Sequence, residues 1–175
     1  MSGIPRIDAG RAWLLGDDIN TDLLAPGKYM KHGVEEIARH CLESLDPTFA
    51  GAVRPGDILF AGRNFGAGSS REQAVEVLRV LGVAAVVAVS FSGLYFRNGF
   101  NLGLPLLVCP EAASVANGAR VRLALADGAV DDLDSGRRLI CEPLPAHLLT
   151  LIHDGGLVPH LEKRLARERA ARTST

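Results

Sequence analysis

The stretch Asp57-Ile58-Leu59-Phe60-Ala61-Gly62-Arg63-Asn64-Phe65-Gly66-Ala67-Gly68-Ser69-Ser70-Arg71-Glu72 passes from a short apolar run, through a glycine-rich turn, into a helical pattern. Ala74, Val77, Leu78 and Leu81 recur at spacings of three and four, the period of one helix face. Gly62, Gly66 and Gly68 let the backbone take positive φ and let a ligand approach it closely. Two hydroxyls and an arginine then arrive at the helix start, where unpaired N–H groups and the helix dipole favour a carboxylate or phosphate. A purely local reading stands beside this one. Ser69, with Glu72 three positions on, forms a capping box that needs no ligand. Arg71 weighs toward an anion, because a guanidinium in the first turn opposes the dipole.

Beyond this turn, Gly82 closes the helix, and Val83-Ala84-Ala85-Val86-Val87-Ala88-Val89 is a continuous apolar run suited to a strand covered on both faces. Ile58 to Val89 is therefore a strand–helix–strand unit with a parallel sheet, which predicts an α/β fold with a mixed sheet flanked by helices. A short helix packed by aromatics is expected over residues 90–103, with Arg97 and Asn98 on its polar face, either solvated or supporting the site. Leu104 to Cys109 reads as another buried strand and Glu111 to Asn117 as a small helix. From Ala119 the pattern alternates, Asp127-Gly128 is a hairpin signal, and Arg138-Leu139-Ile140 adds a strand, so this region is antiparallel with one wet face. Helices over Ala146–Ile152 and Leu157–Arg172 follow, the second fraying into Thr173-Ser174-Thr175.

Upstream, Ala12 to Leu15 is the expected first strand. The loop Asp17-Asp18-Ile19-Asn20-Thr21-Asp22 carries three carboxylates, but its spacing is not that of an EF-hand and a capped turn is favoured over a metal site. Lys28-Tyr29-Met30-Lys31-His32 lies between Gly27 and Gly33, a loop able to close over an acidic ligand on glycine hinges, or simply a flexible surface loop. Val34 to Leu45 reads as one amphipathic helix stopped by Asp46-Pro47.

At 175 residues the chain suits a single domain, read as residues 1–165 with a charged tail over 166–175. Nineteen basic against twenty acidic residues give a net charge of −1, which leaves no basic field for nucleic acid. No apolar run reaches the ~20 residues of a membrane span, and Met1 to Arg6 lacks a secretory apolar core, so a cytoplasmic protein is expected. Cys41, Cys109 and Cys141 are widely separated with no C-x₂-C pair, as expected of reduced, buried thiols. If the chemistry needs a metal, another chain must bring most of its ligands. His147, His153 and His160 have no shared metal spacing and are read as surface or structural residues.

Taken in order, Asp18-Ile19-Asn20-Thr21-Asp22, Asn64 to Glu72, Ser90-Phe91 with Asn98, and Ile152-x-x-Gly155-Gly156-Leu157 resemble the small subunit of 3-isopropylmalate dehydratase, the swivel-domain part of the aconitase superfamily. The likeness runs over roughly residues 10 to 165. It implies a swivelling β/β/α domain and a cluster-bearing large subunit as partner, in a heterodimer or heterotetramer, with self-association possible in isolation. No cofactor is implied on this chain; a [4Fe–4S] cluster is expected on the large subunit. The implied reaction is a hydro-lyase isomerisation in leucine biosynthesis, in which iron acts as a Lewis acid while a protein base removes a weakly acidic proton.

The resemblance carries that base onto Ser69, and the carboxylate ligands onto Ser70 and Arg71, with Gly66, Gly68 and Asn64 supporting the loop and its oxyanion. It carries substrate selection onto the loop holding Tyr29 and Lys31. Lys31 departs from the apolar residue of isopropylmalate enzymes and from the arginine of relatives that take a third carboxylate. Its ammonium can pair a carboxylate, or its stem can face an isopropyl group. A small di- or tricarboxylate is expected, isopropylmalate first, with homoaconitate or another substituted malate as alternative. Ala67 stands where many small subunits have cysteine. A non-catalytic anion-binding or regulatory module is the reading of another class. A serine hydrolase is disfavoured, since G-x-S-x-G is absent.

Overall fold

The computed structural model describes residues 6–173, leaving Met1 to Pro5 and the Ser174-Thr175 end of the expected frayed tail outside the described residues. Seven strands form one mixed sheet in the order β4-β3-β2-β1-β5-β6-β7. They are β1 (Arg6–Leu14), β2 (Ile58–Ala61), β3 (Ala85–Ala88), β4 (Leu106–Val108), β5 (Arg120–Ala124), β6 (Ala129–Asp132) and β7 (Arg138–Ile140). The helices are α1 (Thr21–Leu24), α2 (Val34–Arg39), α3 (Phe49–Ala52), α4 (Gln73–Val80), α5 (Gly93–Asn101), α6 (Ala146–Asp154) and α7 (Leu157–Thr173). Strands β1 to β4 pair in parallel, whereas β1–β5, β5–β6 and β6–β7 pair antiparallel. β1 is thus the seam between the two halves.

The hydrophobic pattern accounts for this division. Every residue of β2 and β3 is buried, as in a strand with both faces covered. In β5, Val121 and Leu123 are buried and alternate with Arg120, Arg122 and Ala124, as in a sheet with one wet face. α4 packs on α1 and α2, and α5 on α4, α6 and α7. Cys41, Cys109 and Cys141 are buried, free thiols.

β1 is joined to β2 by side chains as well as by register. Asp57, only 5% exposed, accepts hydrogen bonds from the Arg11 N–H, Arg11 Nη2 (3.0 Å), Trp13 Nε1 (2.9 Å) and the Arg54 N–H (3.0 Å). Burial alone would raise its pKa, but the Trp13, Arg54 and Arg11 donors together draw it below the ordinary carboxylate value.

Several elements differ from their expected bounds. β1 begins well before Ala12 and passes an irregularity between Ile7 and Gly10, where a Cβ at Gly10 would lie 2.2 Å from the Gly56 carbonyl oxygen. The helix expected over Val34–Leu45 stops at Arg39: Leu42 takes φ +59° and its N–H donates to Leu23 O in α1 at 2.8 Å, a tie that a continuing helix forbids. The helix expected over Glu111–Asn117 is a single 3₁₀ turn, Ala112–Ser114. α6 ends on Gly155 at φ +90°, with Gly156 N–H bonded to Leu151 O and Gly155 N–H to Ile152 O, a Schellman stop. α7 runs unbroken across residue 165. No helix among the described residues is long and apolar enough to cross a membrane.

Candidate functional site

The loops leaving the carboxyl ends of β1, β2 and β3 converge, which is where open parallel sheets commonly hold ligands. Residues 15–22 follow β1, residues 62–72 follow β2, and Ser90-Phe91 follow β3. The first two loops are laced together. Gly62 N–H donates to Gly16 O, Asp18 N–H to Arg63 O, Gly66 N–H to Ile19 O and Thr21 N–H to Ala67 O, at 2.7–3.1 Å. The third loop joins through Phe65 N–H to Ser90 O and Ser92 N–H to Phe65 O.

The carboxylates of the first loop act within this lacing. Asp17 accepts from the Arg63 N–H at 2.7 Å and lies 3.3 Å from its guanidinium, and those two contacts hold its pKa below the ordinary value. Asp18 and Asn64 both adopt positive φ (+56° and +62°), and Asn64 Nδ2 donates to Asp18 Oδ1 at 2.8 Å. Asn20 caps α1 by accepting from Leu23 N–H, which gives the capped turn expected there. No group of three or more His, Cys, Asp or Glu side chains is placed to hold a metal among the described residues.

Gly66 and Gly68 sit at φ +79° and +108°. A Cβ on Gly66 would lie 2.1 Å from Tyr95 Cγ, and one on Gly68 would lie 2.9 Å from Thr21 Oγ1. Tyr95 is buried and its hydroxyl donates to Ala74 O in α4, so the turn, α4 and α5 fix one another.

The capping-box expectation fails here. α4 starts at Gln73, three residues later than a Ser69 cap would require, and no side chain caps it. Ser69 is instead claimed by Thr21, from 48 residues away: its N–H donates to Thr21 Oγ1 at 3.1 Å and the two hydroxyl oxygens are 3.1 Å apart. Thr21 is 3% exposed, whereas Ser69 and Ser70 face solvent. The N–H groups of Ser70, Arg71 and Glu72 make no hydrogen bond among the described residues, leaving three donors beside the Ser69 hydroxyl.

Arg71 turns across this opening. Its Nη1 donates to Ala25 O at 2.9 Å and to Asp22 Oδ1 at 3.1 Å, and Asp22 Oδ1 also accepts the Gly27 N–H at 2.9 Å. The Gly27 N–H first and the Arg71 guanidinium second keep Asp22 below the ordinary carboxylate pKa. Arg71 Nε and Nη2 have no hydrogen-bond acceptor among the described residues, so the fork retains donors for an incoming carboxylate. Asn98, 6% exposed on α5, donates to Ser70 O at 3.2 Å and so supports the loop, while Arg97 is exposed.

The selection loop is arranged differently. Tyr29 stacks on His40 with centroids 3.6 Å apart and its hydroxyl donates to Glu43 at 3.3 Å, so its side chain fastens the loop to the segment after α2. Lys28 pairs with Glu43 at 2.8 Å, and Lys28 first and His40 second bring that carboxyl to about 2. Lys31 is exposed and makes no ion pair or hydrogen bond among the described residues. Ser69, Ser70, Arg71, Asn64, Gly66 and Gly68 thus share one loop cluster, while Lys31 and Tyr29 lie on a separate segment that meets it near Gly27. Thr21 and Asp22 complete the cluster. They escape a local reading, and only their place in the Asp18–Asp22 motif signals them.

Residues 28–111 match the model of the aconitase C-terminal domain. The chain is 44% identical over 156 residues to 3-isopropylmalate dehydratase small subunit 1 of Methanopyrus kandleri, covering 88% of this chain and 92% of that protein. It is 41% identical over 166 residues to the methanogen homoaconitase small subunit of Methanothermobacter thermautotrophicus, covering 94% and 95% of the two chains. A crystal structure of 3-isopropylmalate dehydratase from Methanocaldococcus jannaschii superposes with a TM-score of 0.90 at 34% identity, covering 95% of this chain and 99% of that one. Fold, loop cluster and relatives together make the chain a member of the 3-isopropylmalate dehydratase small-subunit family, the swivel-domain branch of the aconitase superfamily.

Proposed function

We propose that this chain is the small subunit of a two-chain hydro-lyase that converts 2-isopropylmalate to 3-isopropylmalate by removing water and returning it with the hydroxyl on the neighbouring carbon. The observation that carries the reading is an exposed Ser69 hydroxyl, braced from behind by a buried threonine and flanked by free N–H donors and Arg71.

In this mechanism Ser70 and the free edge of Arg71 grip a substrate carboxylate and set the carbon-bound proton against Ser69 Oγ. Ser69 first gives up its own hydroxyl proton to solvent, then as the alkoxide takes the substrate's carbon-bound proton, becoming neutral, and returns that proton on rehydration. A serine hydroxyl is a weak base, so its anion must be stabilised where it forms; the N–H groups of Ser70 to Glu72 and the positive end of α4 do this in a site that closure dries. A [4Fe–4S] cluster on the large subunit supplies the Lewis acid for the departing hydroxyl.

The whole enzyme is assembled in the cytoplasm as a heterodimer or heterotetramer, with residues 1–165 as the swivel domain. Homoaconitate is the second reading, favoured by the unpaired, exposed ammonium of Lys31, which suits a third carboxylate.

Anaerobic reconstitution with the cognate large subunit tests both. Isomerisation of isopropylmalate ahead of homoaconitate is expected, and Ser69→Ala should lower kcat by roughly 10²–10⁴-fold with the melting curve nearly unchanged. Turnover near normal in Ser69→Ala removes the proposed base.

A further inference from the structure

Thr21 accounts for a detail that the catalytic reading leaves open, namely which way the Ser69 proton points. A threonine hydroxyl has one proton and two acceptor lone pairs. One lone pair of Thr21 Oγ1 receives the Ser69 N–H at 3.1 Å. The side chain is 3% exposed and has one other polar neighbour among its hydrogen bonds, Ser69 Oγ at 3.1 Å. If Ser69 donated to Thr21, the Thr21 proton would be buried with no acceptor, an arrangement that native structures avoid. The proton therefore goes from Thr21 to Ser69, and the Ser69 proton is directed away from Thr21, toward the open side of the loop.

Resting on the assignment of Ser69 as base, we propose that Thr21 is a positioning residue for this reaction: its buried hydroxyl donates to Ser69 Oγ, aims the serine proton outward and stabilises the oxyanion. Its contribution grows as charge develops. A donor to an oxyanion draws in to about 2.5–2.7 Å, so the 3.1 Å contact has room to tighten only when Ser69 is charged. Such an interaction favours the charged state over the bound ground state and falls on kcat rather than KM. The bare α-carbon of Gly68 leaves the pair its space, since a Cβ there would lie 2.9 Å from Thr21 Oγ1.

The test uses the reconstituted two-chain enzyme with Thr21→Val, which keeps the shape and removes the hydroxyl, and Thr21→Ser, which keeps the hydroxyl. Thr21→Val should lower kcat by roughly 10²-fold or more with KM within about threefold. Its ascending pH limb of kcat should move to higher pH by about one unit, because loss of a donor to the anion raises the pKa of the base. Thr21→Ser should restore kcat to within about fivefold and return the limb to its original place. A Thr21→Ser enzyme as slow as Thr21→Val overturns the inference, as does Thr21→Val with an unmoved pH limb. Ser69→Ala assayed in parallel separates the two failures: an active Ser69→Ala refutes the base itself, whereas an inactive Ser69→Ala beside an unimpaired Thr21→Val refutes only the role of Thr21.

Discussion

Alanine at three glycines separates backbone strain from steric conflict in the site loop. Gly16 has no positive φ and nothing within 4 Å of a built Cβ; Gly118 has φ +85° and open space; Gly66 combines φ +79° with Tyr95 Cγ at 2.1 Å and Tyr95 Cβ at 2.4 Å. Gly16→Ala should therefore change stability by less than about 0.5 kcal/mol. Gly118→Ala should cost the left-handed penalty alone, roughly 1–2 kcal/mol. Gly66→Ala adds overpacking against a buried ring, typically 1–3 kcal/mol, so its total is about 2–5 kcal/mol, or very roughly 5–15 °C in Tm for a domain of this size. Tyr95 cannot simply swing aside, because its hydroxyl is tied to Ala74 O. Urea unfolding of the isolated subunit measures the series. If Gly66→Ala is no worse than Gly118→Ala, Tyr95 yields freely and the loop is not locked in the way described.

Asp57→Ala should destabilise the chain by about 3–5 kcal/mol, because it strands the Trp13 indole N–H, the Arg54 N–H and a half-buried Arg11 together; denaturation that matches wild type would contradict this. The depressed Asp57 carboxyl stabilises the fold fully above its unfolded value of about 3.9, and that contribution should fade as pH falls through the lower folded value, which acid melting of wild type against Asp57→Asn would reveal. Asp154, brought to about 2 by Lys163 first and His160 second, should let go of α7 over the same acid range; hydrogen exchange along residues 157–165 should rise there, and an unchanged pattern would refute the tie. Lys31→Val should leave stability within about 0.5 kcal/mol while shifting preference toward branched alkyl substrates, measured as ratios of kcat/KM; an unchanged ranking removes this loop from substrate choice.

The strand–turn–helix–strand core was legible in the sequence because its signals are local: the apolar runs that became β2 and β3, the spacing of Ala74, Val77 and Leu78 that became one face of α4, and the alternation that became β5. What local pattern misjudged was set by partners far along the chain. Ser69 and Glu72 have the spacing of a cap, yet a threonine 48 residues earlier accepts the Ser69 N–H and pairs with its hydroxyl oxygen. Val34 to Leu45 has an unbroken helical period, yet the bond from Leu42 to Leu23 O turns the chain before the period ends. Tyr29 stacks on His40 past the end of α2, a contact that no local period encodes. The roles proposed for Ser69, Ser70 and Arg71 came from family resemblance; Asn98 was offered there as support for the site, and the fold supplies the contacts by which it, Thr21 and Asp22 hold the loop.

The seam strand also sets an order of assembly. Residues 12–14 find their parallel neighbour only once residues 58–60 exist, and the opposite edge of β1 stays open until residues 120–124 are made. A nascent or truncated chain ending near residue 115 would hold the whole site loop and the parallel half, yet present a row of unsatisfied backbone groups along its first strand. Such a fragment would tend to pair with other copies of itself, so during translation the shielding of that edge by the last third of the chain matters as much as the chemistry at its far end.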